Sequence, residues 1–270
     1  MIARDLPGMA DVDSSLLLFC REISKEVKVA ISGECADEIF AGYPWFFRED
    51  ALSSNTFPWS IALSERQKLL NPEISNKIDL KEYIDYRYNE SLNNVEILET
   101  DSKETAEKRK ISYLTMNWFM QTLLDRADRM SMQNGLELRV PFCDYRIVEY
   151  LWNIPWEIKA LNGREKGLLR YIAKDFLPEE IVDRKKSPYP KTHNPTYLQA
   201  VKEKLKKIMY NKYAPINNLL NRDYILDIIE TEGKAFTRPW FGQLMTGPQL
   251  MAYLIQVNMW LEKYNPTIEI

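Results

Sequence analysis

Histidine is almost absent from this chain. One residue, His193, stands among 270. It lies in the Pro-rich stretch SPYPKTHNP and reads as a loop residue, not as a ligand or base. Histidine-dependent triads and most metal hydrolases are thereby set aside. Cysteine is scarce too. Cys20, Cys35 and Cys143 are odd in number, widely spaced and without a CxxC pair. That usage fits a reducing compartment and shows no zinc pattern. A basic excess is lacking: 36 Lys and Arg face 39 Asp and Glu, for a net charge of −3. A nucleic-acid partner is not expected from that balance. No apolar run approaches the ~20 residues a membrane helix needs. The N-terminus lacks the basic, apolar, small-residue order of a signal peptide. The expectation is a cytoplasmic protein with no membrane partner. Internal repeats, low-complexity tracts and long flexible linkers are missing as well.

What is present is the composition of an ordinary globular protein, 45% hydrophobic and 28% charged. The length suffices to bury a core as one or two domains. Helical periodicity dominates. ADVDSSLLLFCREISKEV reads as a helix that Asp11 or Asp13 can cap. Helical patterns recur in DLKEYIDYRYNESLNN, EKRKISYLTMNWFMQTLLDRADRM, DYRIVEYLWN and REKGLLRYIAKDF, and again in TYLQAVKEKLKKIM, RDYILDIIETEG and GPQLMAYLIQVNMWLEKY. Ile111, Leu114, Trp118 and Met120 to Leu124 form a wide apolar stripe, so that helix is expected to be central. Strands are hard to find. Val27 to Ile31, VKVAI, reads as a buried parallel strand. A sheet needs neighbours, so the remaining strands of an α/β domain are expected upstream or on another chain.

That strand runs into VAISGECADEIFAGYPWFF, Val29 to Phe47, with Glu34, Asp37 and Glu38 directly behind it. In open α/β sheets, ligands bind beyond the carboxyl ends of strands. Gly33 lets a backbone turn approach a ligand closely, and Ser32 offers a hydroxyl at the same edge. Helix capping accounts for Asp37 and Glu38, worth roughly 0.3–1 kcal/mol each, but fits Glu34 less well. The functional alternative is a magnesium nucleotide, with carboxylate and phosphate oxygens completing an octahedral site. Tyr43, Pro44, Trp45 and Phe46 read as a hydrophobic anchor for this turn.

Two further blocks follow in order: DRADRMSMQNGLELRVPFCD, then EKGLLRYIAKDFLPEEIVDRKKSPYP. Together with the acidic turn they resemble the C-terminal synthetase domain of glutamine-dependent asparagine synthetases, from about Arg4 to the C-terminal helices. The resemblance is thinnest over 52–107 and in the tail. It implies an α/β fold of adenine nucleotide alpha-hydrolase-like (PP-loop ATP pyrophosphatase) type, mostly helical here with few short parallel strands, in a single domain over 1–270. It implies ATP and Mg²⁺ as cofactors, and aspartate and ammonia as substrates. Aspartate is adenylated with release of pyrophosphate, and ammonia then displaces AMP to give asparagine. On this likeness Ser32 and Gly33 contact ATP, Asp37 holds Mg²⁺, and Glu34 takes part in forming and consuming the adenylate. Lys186 reaches the pyrophosphate. A glutamate at position 34 favours the asparagine branch over the related β-lactam synthetases. Asp125, Arg126, Arg129 and Glu137 are candidates for the substrate pocket, alongside a competing reading as structural ion pairs.

Three departures qualify the likeness. Cys35 stands where the family usually has glycine. The SGGxDS pyrophosphate loop is not among these residues; Asp11 to Ser15, DVDSS, reads as a cap. The glutaminase half, with its N-terminal cysteine, is missing too. The expectation is an ATP-dependent amide ligase that is incomplete in this chain and completed by an upstream segment or chain. The alternatives are a non-catalytic interaction module and a ligase acting on another carboxylate.

Overall fold

The computed structural model describes residues 1–187, 194–234, 239–242 and 245–269; His193 lies outside them. The chain divides into two compact units. One comprises Met1–Phe19, Trp59–Tyr86 and Pro188–Ile270, the other Cys20–Pro58 and Arg87–Ser187.

The first unit is a helical cluster. Its principal helices are Pro195–Tyr210, Arg222–Glu230 and Gly247–Tyr264. Each starts on a short polar residue that satisfies orphan amides. Asn194 accepts from Thr196 N, Asn221 accepts from Tyr224 N, and Thr246 with Gln249 forms a capping box. Leu205, Ile216, Ile225, Ile228, Ile229 and Leu250 are fully buried and form its core. Asp13 pairs with Arg4 at 3.1 Å, and Asp11 accepts from Gln249 Nε2 at 3.0 Å.

The second unit carries the sheet. Strand β1 is Val29–Ile31 and strand β2 is Glu137–Arg139. They pair in parallel, Val29 opposite Glu137 and Ile31 opposite Arg139. The parallel pairing agrees with the sequence reading, but the expected burial does not. Ile31 is 76% exposed and Val29 is exposed as well. Among the described residues the sheet has two strands, and Val29 and Ile31 share one exposed face with their partners Glu137 and Arg139. Strand β2 escaped the sequence reading because its three residues include two charges. Glu137 and Arg139 face outward as an ion pair at 2.8 Å, with Leu138 between them on the other face.

A long helical segment feeds β2. It runs as an α-helix over Lys103–Leu114, a π-helical turn over Thr115–Met120, and an α-helix over Gln121–Met132. Ser102 caps its start by accepting from Thr105 N. Ile111, Leu114, Met120 and Leu123 are buried, as their spacing predicts. Trp118 is not; it is 38% exposed. The wider π turn shifts the register and rotates Trp118 off the stripe. Its indole instead donates to Ser91 Oγ at 2.8 Å and meets Phe57 edge-on at 5.3 Å. After Met132 the chain reverses through Gly135 at φ 65°, a conformation glycine adopts without strain, and Leu136 enters the core before β2 begins.

Candidate active site

The site is assembled where β1 ends. Ser32 N donates to Arg139 O at 2.8 Å, the last rung before the strands part. Ser32 Oγ then accepts from Glu34 N at 3.2 Å and closes a small turn. A side chain at Gly33 would meet nothing within 4 Å, so the approach to this backbone is open. Cys35 has φ 71°, the left-handed conformation that a glycine would take without strain. The substitution expected to disturb the loop therefore preserves a glycine-like backbone, at a cost of order 1 kcal/mol. Burial holds the Cys35 thiol protonated, aided by Glu38 and by the hydrogen-bonded Cys143 thiol.

The short helix Ala36–Ile39 aims the two remaining acids apart. Glu38 points inward and is buried. Tyr43 OH donates to Glu38 Oε1 at 2.7 Å. Burial nevertheless raises the Glu38 carboxyl to about 7, because desolvation of the charged form outweighs that hydrogen bond. Asp37 faces two lysines from distant segments. Lys186 Nζ is 2.8 Å from Asp37 Oδ1, and Lys166 Nζ is 3.1 Å from the same oxygen. Lys186 also donates to Gly42 O at 2.7 Å and lies 4.3 Å from the centre of the Tyr43 ring. Burial lowers the Lys186 ammonium from its ordinary value, and Asp37 opposes that shift.

Two features of the turn explain why it holds this shape. Gly42 N donates to Asp37 O at 2.7 Å, and a Cβ on Gly42 would fall 2.7 Å from Asp37 Cα. Only a residue without a side chain permits that approach. Behind it, Tyr43 stacks on Trp45 at 4.2 Å, and both rings meet Phe119 edge-on. Trp45 Nε1 donates to Thr115 Oγ1, in the π turn, at 3.3 Å. The aromatic segment thus fastens the acidic turn to the central helical segment.

Glu34 looks another way. Its Oε1 pairs with Arg126 Nη2 at 2.6 Å. Its Oε2 is buried and has no hydrogen-bond partner among the described residues. Of the four residues drawn from the second block, Arg126 reaches the turn. Asp125 pairs with Arg129 at 3.5 Å, and Glu137 pairs with Arg139, on exposed surface. An open cavity of about 390 Å³ lies beside Asp37, lined also by Lys166, Arg170, Lys185 and Lys186; Glu34 is not in its wall.

Sequence reasoning passed over Lys166 and Gly42. Lys166 was absorbed into a helical pattern, although the EKG triplet marks a break. Lys166 has φ 54° directly before the Gly167–Ala173 helix. No group of three or more His, Cys, Asp or Glu side chains converges as a metal site among the described residues. Asp37 is the acid in the cavity wall. One carboxylate is compatible with Mg²⁺, which takes one or two together with phosphate oxygens and waters. The two lysines fit the phosphates themselves.

A turn of acids at a parallel strand end, clamped by distant lysines, describes a site for an anionic ligand. Comparison with known proteins gives the family. Residues 1–262 match the asparagine synthase family, and the chain belongs to it. It is 52% identical over 269 residues to asparagine synthetase [glutamine-hydrolyzing] 3 of Bacillus subtilis (strain 168), covering 100% of this chain and 44% of that protein. Asparagine synthetase [glutamine-hydrolyzing] 1 of the same organism is 30% identical over 247 residues, covering 80% of this chain and 38% of that protein. Over 91 residues it is 41% identical to asparagine synthetase [glutamine-hydrolyzing] of Mesocricetus auratus, covering 33% of this chain and 16% of that protein. The chain therefore spans less than half the length of these relatives. Among the described residues, no helix is long and apolar enough to cross a membrane.

Proposed function

We propose that this chain carries the adenylating site of an ATP-dependent, amide-forming ligase of the asparagine synthetase kind. The reaction is activation of aspartate as β-aspartyl-AMP with release of pyrophosphate, then attack by ammonia to give asparagine and AMP. The observation that carries this reading is the Asp37–Lys186 contact at 2.8 Å. It joins two sequence blocks 149 residues apart on the open edge of one turn.

Each residue has a role that its surroundings support. Ser32 and the open backbone at Gly33 accept the nucleotide. Lys186 and Lys166 balance phosphate charge as point cations, and a triphosphate in the adjoining cavity would share them with Asp37. Asp37 would hold Mg²⁺, which when bound screens the phosphates and favours departure of pyrophosphate. Glu34 offers its unpartnered Oε2 as acceptor for a proton from the incoming ammonia, while Arg126 fixes the other oxygen. Glu38 and Tyr43 hold the turn and do not touch substrate. We further propose that both compact units belong to one synthetase domain of PP-loop ATP pyrophosphatase type, and that residues like those of the relatives beyond the matched segment complete the phosphate site.

The test is pyrophosphate release from Mg-ATP and aspartate. It is measured with this chain alone and with a chain carrying the relatives' unmatched segment. Release that disappears in Lys186→Ala supports the reading. Release unchanged in that variant, or absent under both conditions, removes it.

A further inference from the structure

The second unit holds another group of cations that the acidic turn does not use. Lys108, Arg109 and Lys159 line one small half-open cavity with Thr105, Ser112 and Trp156. Its volume is about 40 Å³, beyond the ~10–15 Å³ a single water needs. No acidic residue is in its wall.

The three cations differ in how they are satisfied. Lys108 donates to Phe46 O at 2.6 Å and lies 4.5 Å from the centre of the Trp156 ring. Arg109 pairs with Asp101 at 2.6 Å and donates to Trp152 O at 3.3 Å. Glu104 acts on Lys108 at longer range. Lys159 is 8% exposed, and its ammonium makes no hydrogen bond or ion pair with a described residue. The charge that acts on it is repulsive, from Arg109. Burial and that repulsion lower the amine to about 8. At neutral pH it still carries its proton. The amine stands in the cavity wall with no acidic residue beside it there, so an anion entering from solution can pair with it.

We propose that Lys108, Arg109 and Lys159 form a binding site for one small inorganic monoanion, held directly by Lys159. Thr105 and Ser112 stand in the same wall, the Thr105 hydroxyl 3.0 Å from Ser102 Oγ. A volume of about 40 Å³ suits a small anion. The cavity also adjoins the aromatic anchor, through Lys108 on Phe46 O and through Trp156, whose ring centre is 5.6 Å from that of Phe46. The inference is independent of the adenylating reading.

Bromide is the probe. Crystals of the whole chain in sodium bromide should show one anomalous peak within hydrogen-bond reach of Lys159 Nζ. In solution, replacing sodium gluconate by sodium bromide at constant ionic strength should raise the wild-type unfolding midpoint by a few degrees. Lys159→Met should lose the peak and the bromide response. A cavity holding water alone, or an equal bromide shift in both proteins, overturns the proposal. If Lys159→Met fails to fold, the anomalous peak in the wild type decides alone.

Discussion

Two lysines of the second unit, Lys186 half-buried and Lys159 buried, face opposite circumstances. Lys186 is desolvated but has Asp37 at 2.8 Å, a carbonyl and an aromatic face around it. Lys159 is desolvated and has a guanidinium for its neighbour. Both ammonium groups are lowered by burial. The difference is compensation from within. At Lys186 the protein supplies a counter-charge that a stronger anion can take over. At Lys159 no described residue supplies one. A cation with its own acid is a group that can be re-partnered; one without an acid is a group awaiting a partner.

The largest effect should come from breaking the compensated corner. Asp37→Ala leaves Lys166 and Lys186 side by side without their acid. With partial exposure discounting the loss for a fully buried pair, about 2 kcal/mol of stability should disappear in urea titration, and pyrophosphate release should fall at least ~100-fold. A wild-type value for both would show that the lysines are paired elsewhere.

Next is Glu34→Gln, which keeps a hydrogen bond to Arg126 but removes the proton acceptor. Amide formation should drop by ~10²–10⁴, while pyrophosphate release declines much less. Equal losses in both steps would place Glu34 in binding and not in proton transfer.

Glu38 sharpens the comparison from the acid side. Its folded value, about 7, lies above the ordinary 4.5. The folded state therefore binds the proton more tightly, and this contribution is complete below pH ~4.5 and lost as pH rises through about 7. Glu38→Gln should flatten that decline, by at most ~3 kcal/mol across the interval. Parallel pH–stability curves for wild type and variant would refute it.

The smallest expected effect on the reaction is steric. Gly42→Ala forces a methyl against Asp37 and should cost ~1–3 kcal/mol, with the nucleotide response weakened in proportion. A neutral substitution would mean that the turn yields easily.

Much of the candidate site was legible in the sequence because charge and spacing carried it. Three acids behind an apolar run, and a basic triplet in a distant block, are visible without coordinates. The pairing of Lys186 with Asp37 was approached through the likeness to a family, not through local pattern. Lys166 was hidden because its left-handed backbone interrupts what reads as continuous helix. Gly42 was hidden because its reason is an approach across five residues, not a turn type. The helices of the first unit were readable from periodicity and polar caps. Strand β2 was not, since one polar–apolar–polar alternation over three residues is too short to mark a strand. Nor was the π turn, whose extra width leaves the hydrophobic spacing nearly intact yet turns Trp118 outward.

The stacking of Tyr43 on Trp45 has an optical consequence. Lys186 lies over the phenol, and the Trp45 indole stacks on that same ring. Any ligand that draws the ammonium away alters the electric field across the stacked chromophores. Difference fluorescence between wild type and Trp45→Phe would then report occupancy of the lysine corner directly, without a label and without turnover.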